Sequence, residues 1–326
     1  MATIARRLAV YIVTAIVAIT IDFFIPRIIP GNPVDAVLSK MQSVPVTRAL
    51  VRSLDLQFGV GTKVSLWSQY THFWANLFSG NLGTSTSNGF EPVTRVIGNA
   101  LPWTLGLVGV ATVISFVLGT AIGALVGWRR GGWLDNLLPA ATFFQAAPYF
   151  FLAFLALDLF STKLGWFPSG GAYQNLDFPG WNGTYIRDVL DHAVLPAITI
   201  VVASAAGWIV GMRNQMITTM DEDFVLIAAA KGLPPRRVIW YAARNAMLPS
   251  ISGFSLAVGF IISGALLTEI VFSYPGLGLL LVNGVGDNDY ALLQGIFLII
   301  TLAVLGANLI ADFVYVFLDP RTRQEA

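Results

Sequence analysis

Side chains that carry most catalytic and metal chemistry are scarce in this sequence. It has no cysteines, and its two histidines, His72 and His192, have no nucleophile in a suitable sequence context. No Gly-Lys dipeptide occurs, so the phosphate-binding loop Gly-x4-Gly-Lys-Ser/Thr is missing. These absences exclude thiolate catalysis, cysteine-based zinc sites and ATP hydrolysis by a loop of that type. We therefore predict a chain that is not an enzyme and holds no cofactor or metal.

The segment from Asp221 to Arg237 has instead the pattern of a docking element. Three acidic residues open a short helix, where they interact favourably with the helix dipole. Gly232 ends this helix, and Pro234 and Pro235 force a turn before a second short helix. Alanines make the first helix slim, so another protein could approach its backbone closely. The predicted contact residues are Asp223, Ala228, Ala229, Ala230, Lys231, Gly232, Leu233 and Arg236.

The composition places these helices on a membrane protein. The chain is 56% hydrophobic and only 11% charged, about half the charge of a soluble domain. Its net charge of +1 does not point to nucleic acid. Six apolar stretches are each close to or above the ~20 residues that cross a bilayer, and continuous apolar runs favour helices over barrel strands. They run over residues 8–25, 103–126, 137–160, 193–210, 251–271 and 292–317. We predict an all-α integral membrane protein with about six transmembrane helices.

Basic residues predict the orientation and the division of the chain. Residues 1–25 end in bulky side chains rather than a cleavage site, so we interpret them as transmembrane helix 1 and not as a signal peptide. Arginines and lysines cluster on the side of the N-terminus, which places both termini in the cytoplasm. We expect an extracytoplasmic segment at 26–101, then a core at 102–326 with helices 2–6 and a cytoplasmic loop at 213–249.

Small and polar residues inside the apolar stretches suggest packing and a pathway. Gly119, Gly123 and Gly127 recur every four residues, which favours close helix packing. Pro148 should bend its helix because it lacks a backbone donor. The candidate pathway-lining residues are Gln145, Ser204, Gly207, Ser263 and Gly264.

Acidic residues lie in or near the apolar stretches as well. For Asp22, Asp158, Glu269 and Asp312 we favour interfacial capping or subunit pairing over direct functional contact. The Asp287–Asp289 run suggests calcium, but its spacing does not fit an EF-hand loop. We interpret it as a solvated turn.

Sequence patterns along most of the chain resemble one family. The segment around Ala228 and Gly232 resembles the EAA motif of ABC importer permeases, which docks into the ATP-binding subunits. The whole chain resembles the first permease of the dipeptide and oligopeptide importers, with a type I ABC importer permease fold. Further resemblances lie at residues 28–35, 78–85, 91–95, 101–105, 272–278, 289–295, 308–312 and 318–321. The motif's acid is expected six residues before the glycine, where this chain has Leu226.

The resemblance implies a bacterial inner-membrane subunit of an ATP-driven importer. Its implied partners are a second related permease, two ATP-binding subunits that hold ATP and Mg, a substrate-binding protein outside the cell, and the lipid bilayer. The implied substrates are dipeptides or oligopeptides, with oligosaccharides or nickel as alternatives. A secondary transporter driven by an ion gradient is a further alternative, and it would predict broken helices in related halves. A scaffold without a pathway is the remaining one.

Overall fold

A computed structural model describes residues 2–28, 34–35, 38, 47–49, 51–52, 65–129, 131–174, 180–259 and 266–318. Every regular element in these ranges is helical, which confirms the predicted all-α class. The helices of six or more residues are α1 (Ala2–Ile28), α2 (Leu66–Phe78), α3 (Val93–Thr104), α4 (Val110–Trp128), α5 (Leu138–Ala146), α6 (Tyr149–Ala156), α7 (Gly183–Met220), α8 (Asp223–Ala230), α9 (Pro235–Ala246), α10 (Leu248–Gly259), α11 (Leu266–Val271), α12 (Leu277–Gly286) and α13 (Tyr290–Leu318). The described residues also include a 3-10 turn at Trp133–Leu137 and π-helical turns at Leu105–Gly109 and Leu157–Lys163.

The chain divides into two compact units. Unit 1 comprises Met1–Trp103 and Pro275–Leu305. Aromatic packing joins α1 to α2 within it, because the Phe23 ring lies 5.3 Å from the ring of Tyr70 and 5.4 Å from that of Phe73. The hydroxyl of Thr301 on α13 donates to the Asp22 carboxylate at 2.9 Å. Asp22 therefore has a hydrogen-bond partner within the unit, and the predicted capping or subunit pairing of this residue stays a prediction.

Unit 2 comprises Thr104–Tyr274 and Gly306–Ala326, and α7 is its central element. This helix begins at the N-cap Asn182, whose side chain accepts a hydrogen bond from the Tyr185 N–H at 2.7 Å. It packs along α4 and also contacts α5, α6 and α9. A single long helix thus holds both membrane-spanning and shorter helices of the unit.

Among the residues that the structure describes, four helices are long and apolar enough to span a membrane, in agreement with a multi-pass protein. They cover Leu8–Ile28, Val93–Trp128, Gly183–Met220 and Tyr290–Ile310. The third predicted span is instead two helical segments bent by 103° at Pro148, which confirms the bend there. The fifth, at 251–271, includes residues 260–265, which lie outside the described residues. The total of six spans and the orientation therefore stay predictions.

Several helices extend beyond the predicted boundaries. The second span begins at Val93, so residues 93–101, assigned to the outside segment, already belong to a membrane-length helix. α7 reaches Met220 rather than ending near Val210, so the predicted loop at 213–249 starts as helix. Polarity alone does not end a helix, and this stretch contains neither proline nor a terminating glycine. The turn between α7 and α8 therefore comes only at Asp221.

Candidate coupling helices, helix seam and pathway residues

The first of the two predicted docking helices, α8, has the predicted start and end. Glu222 is its N-cap, and Asp223 lies exposed in its first turn. At the other end, Gly232 adopts a φ of +76°, a left-handed conformation that glycine adopts without strain. Its N–H donates to the Ala229 carbonyl at 3.0 Å, and the Leu233 N–H donates to the Ala228 carbonyl at 3.3 Å. This pair of bonds forms a Schellman motif and stops α8.

The second docking helix, α9, starts within three residues of that stop. Pro234 is the N-cap with an extended backbone, and Pro235 occupies the first helical position, where no N–H is needed. The Arg237 N–H donates to the Pro234 carbonyl at 2.8 Å and begins the helical pattern. The predicted sequence of helix, glycine stop, double proline and helix is confirmed.

One face of this helix pair is buried against the chain itself. Val225 and Ala228 of α8 cluster with Val238 and Ala242 of α9 and with Met216 of α7. Trp128 and Ala124 of α4 pack against the same cluster. Ala228 is only 8% exposed, so its small side chain fits this internal contact instead of offering the open surface that the sequence suggested. The pair is thereby fixed to the ends of two spanning helices.

The opposite face of α8 is open and apolar. Phe224, Leu226 and Ile227 are 41%, 56% and 54% exposed. Leu226, which stands where the EAA motif has its acid, is therefore on the surface. Of the other predicted contact residues, Leu233 is half-buried, and the remaining ones, Asp223, Ala229, Ala230, Lys231, Gly232 and Arg236, are exposed. A contiguous group of exposed apolar side chains is typical of a surface that contacts another protein or a membrane. Phe224 and Ile227 were not among the predicted contact residues, although their apolar character beside three acids was a usable signal.

The three glycines of α4 face α7 and form a glycine seam with it. A Cβ at Gly119 would lie 2.5 Å from the Trp208 Cβ, and one at Gly123 would lie 2.5 Å from the Ile209 carbonyl oxygen. At Gly127 it would lie 2.7 Å from the Met216 Cβ. Real Cβ atoms do not approach so closely, so only glycine permits this helix separation. At Gly127 the seam reaches Met216, which belongs to the same hydrophobic cluster as residues of α8 and α9.

Three of the five pathway candidates lie near the helix break at Pro148. The Tyr149 hydroxyl is 3.3 Å from the Ser204 hydroxyl, and a Cβ at Gly207 would lie 3.7 Å from the Gln145 amide nitrogen. Gln145 lies in the last turn of α5 just before the break, and Tyr149 begins α6 after it. Ser263 and Gly264 lie outside the described residues. Tyr149 was missed, and its position directly after Pro148 was the available signal.

The predicted solvated turn at Asp287–Asp289 is wrong for Asp289, which is fully buried. One carboxylate oxygen of Asp289 accepts hydrogen bonds from the Ser85 hydroxyl at 2.6 Å and from the N–H and hydroxyl of Ser87 at 3.0 and 2.8 Å. The other oxygen accepts from the Leu292 N–H at 3.1 Å and caps α13. We call this arrangement the Asp289 clasp. Its signal in the sequence was an Asp directly before a helix.

Asp158 and His192 have structural partners as well. Lys163 pairs with Asp158 at 2.6 Å on the surface. His192 is buried, and its Nδ1 lies 2.8 Å from the Asp188 carbonyl oxygen. Burial raises the pKa of Tyr274 to about 12, and the nearby Glu269 adds to the rise, so this phenol stays neutral. Within the described ranges, no three Asp, Glu or His side chains group as metal ligands would.

Sequence comparison assigns the chain to a family. Residues 119–324, more than half of the chain, match the family described as "Binding-protein-dependent transport system inner membrane component". This range contains the glycine seam and both docking helices. The chain is 33% identical to a putative peptide permease protein of Brucella suis, over 94% of this chain and 95% of the relative. It is 32% identical to a di/tripeptide transport system permease protein of Pseudomonas aeruginosa, over 99% and 98%.

A third relative is the oligopeptide transport system permease protein of Bacillus subtilis, 30% identical over 92% of each chain. Together with the family match, these near full-length similarities show what kind of protein the sequence encodes. The chain belongs to the family of multi-pass inner-membrane components of binding-protein-dependent transport systems.

Proposed function

We propose that this chain is a permease subunit of an ATP-driven importer and helps to form the pathway for dipeptides or oligopeptides. Family membership supports the importer class, and the names of the relatives from Brucella, Pseudomonas and Bacillus support peptides over oligosaccharides or nickel. They also favour an importer over a secondary transporter. The helix break at Pro148 is compatible with either class.

One observation carries the proposal: the α8–α9 pair exposes an apolar surface while its other face is fixed to the spanning helices. Phe224, Leu226 and Ile227 are available to a partner. Behind them, Val225 contacts the cluster that includes Met216 of α7. A partner that moves α8 would therefore move α7, and the glycine seam would carry the displacement to α4. Packed helices with two arrangements transmit motion in this way.

The sequence lacks the phosphate-binding loop for ATP, so we assign ATP hydrolysis to separate subunits. Two ATP-binding subunits would hold ATP and Mg, one of them docked on α8, and this chain would contribute no catalytic residue. A second, related permease would complete the pathway. A substrate-binding protein would deliver peptides at the opposite side, where the segment 26–101 is expected. With both termini in the cytoplasm, α8 and α9 are on the side where ATP is available.

Near the helix break, Gln145, Tyr149, Ser204 and Gly207 are the candidates for contact with substrate. Their hydroxyl and amide groups can bond to the peptide backbone without selecting a particular side chain. This suits a pathway for peptides of varied sequence, in which the binding protein supplies most of the selectivity.

Reconstitution tests the proposal. The chain is co-expressed with a second permease, the ATP-binding subunits and the binding protein, and the purified complex is placed in liposomes. We expect uptake of a radiolabelled dipeptide that requires ATP and the binding protein. Uptake of nickel or an oligosaccharide in place of dipeptide would overturn the substrate class. Uptake driven by an ion gradient without ATP, or a chain that retains no ATP-binding subunit, would overturn the importer assignment.

A further inference from the structure

The outward face of α9 combines positive charge with large aromatic rings. Arg236, Arg237 and Arg244 are exposed, as are Trp240 at 66% and Tyr241 at 45%. Trp240 follows Arg236 by four residues and precedes Arg244 by four, so all three lie on one side of the helix. In the part of the chain that the structure describes, none of these arginines forms an ion pair. We call these five residues the basic–aromatic face.

This face lies at the level where the apolar core of the membrane ends. No charged residue occurs in α7 from Ala193 to Met212, a stretch of about 20 residues or ~30 Å, which matches the hydrocarbon thickness. Arg213 is the first charge beyond it. The buried face of α9 packs against Met212 and Met216, on both sides of that boundary. α9 therefore runs beside the spanning helices at the membrane–water interface.

The charge of α9 differs from that of α8. No acidic residue occurs from Lys231 to Gly259, whereas Asp221, Glu222 and Asp223 precede or begin α8. The exposed large side chains of α8 are purely apolar, while those of α9 are flanked by arginines. Tryptophan and tyrosine favour the interface of a bilayer, and arginines beside them attract phosphate groups. Lipid phosphates thus complement α9 better than α8.

We propose that the basic–aromatic face binds anionic phospholipid headgroups at the cytoplasmic surface of the membrane. The cytoplasmic placement rests on the proposed function. In this arrangement α8 is left for the ATP-binding subunit, and α9 is held at the bilayer surface. Arg236, predicted from the sequence to contact the ATP-binding subunit, would then contact lipid instead. Bound lipid would keep the helix pair at a fixed depth while α8 moves with its partner.

The test replaces the three arginines with glutamine in the full-length chain, as R236Q/R237Q/R244Q. A matched control, R48Q/R52Q/R95Q, removes three exposed arginines elsewhere. A second variant, R236K/R237K/R244K, keeps the charge. Each protein, with its partner subunits where they co-purify, is placed in nanodiscs of phosphatidylcholine with or without phosphatidylglycerol. Native mass spectrometry then counts phosphatidylglycerol retained after mild detergent extraction.

We expect the unchanged chain, the control and the lysine variant to retain phosphatidylglycerol in preference to phosphatidylcholine. The glutamine variant should retain at least about tenfold less, because each cation near an anionic surface adds to the attraction. Raising the salt concentration should lower retention by screening the charges. Size-exclusion chromatography reports whether the glutamine variant is folded, and the lysine variant reports on the same positions if it is not.

Two results would overturn the proposal. One is equal phosphatidylglycerol retention by the glutamine variant and the control. The other is loss of the ATP-binding subunits from the glutamine variant with lipid retention unchanged, which would assign the face to that partner. If the unchanged chain retains no ATP-binding subunit, the proposed function fails, but the lipid measurement on the chain alone still decides this proposal.

Discussion

The glycine seam and the docking helix α8 use small residues in opposite ways. In the seam, Gly119, Gly123 and Gly127 allow the backbones of two helices of this chain to touch. In α8 and its stop, Ala229, Ala230 and Gly232 are exposed, and no atom lies within 4 Å of a Cβ placed on Gly232. Both runs are rich in glycine or alanine. The seam packs against another helix of the same chain, whereas these residues of α8 and its stop are exposed.

The difference shows that a run of small residues predicts close approach but does not name the partner. The seam has a membrane-length helix as its partner, supplied by the same chain. α8 has its partner on one side only, through Val225 and Ala228, and presents Phe224, Leu226 and Ile227 on the other. Changes in the seam should therefore affect folding, while changes on the open side of α8 should affect assembly and transport.

The largest effect is expected when the seam itself is disturbed. Gly123→Ala places a Cβ 2.5 Å from the Ile209 carbonyl oxygen, so the helices must separate. We expect a loss of about 3 kcal/mol in the free energy of unfolding, typical of overpacking. Gly211→Ala, in α7 with open space around it, is the control and should be neutral or slightly stabilising. Thermal unfolding in detergent measures both, and equal melting temperatures would contradict the seam.

A second large loss of stability is expected at the Asp289 clasp, where polar groups of the chain are buried against each other. Asp289→Ala leaves the Ser85 and Ser87 donors of the clasp without their acceptor. We expect a loss of about 2 kcal/mol, because buried donors lose a charged partner. The control is Glu91→Ala, which removes an exposed carboxylate from the same unit. If both variants melt at the same temperature, the clasp does not stabilise the fold.

At the stop of α8 we expect an intermediate loss of stability. We expect a large loss of the coupling between substrate and ATP hydrolysis. Gly232→Leu strains a backbone with φ of +76° and should cost about 1 kcal/mol. Gly165→Leu has a φ of +63°, similar open space and no place in the helix pair, so it carries the same strain elsewhere. We expect only the Gly232 variant to lose substrate-stimulated ATP hydrolysis in the reconstituted complex. Equal loss in both would mean that strain, not docking, is responsible.

The smallest effect on stability is expected on the open face of α8. Leu226→Glu should change the free energy of unfolding by less than about 0.5 kcal/mol, as at most surface positions. It should nevertheless alter the amount of ATP-binding subunit that co-purifies. Val225→Glu, one residue away but 1% exposed, should instead destabilise the chain strongly by burying a charge. If Leu226→Glu leaves co-purification unchanged, the open face is not the docking surface.

Much of the fold could be predicted because the relevant physics is local. Hydropathy over 20 residues identifies helices that can span a membrane, whatever they contact. The stop of α8 at Gly232 and the start of α9 at Pro235 depend on backbone conformation and missing donors within a few residues. The bend at Pro148 has the same local origin. These features were therefore readable from the sequence.

Burial and pairing could not be predicted, because they depend on residues distant in the chain. Ala228 and Ala229 are neighbours of one type, yet only Ala228 meets the cluster around Met216. Asp289 is buried because Ser85 and Ser87, about 200 residues earlier, supply its donors. The sequence by itself thus determined the membrane class and the helix pair α8–α9. Only the tertiary structure decided which side of that pair is closed by the chain's own core and which is left for a partner.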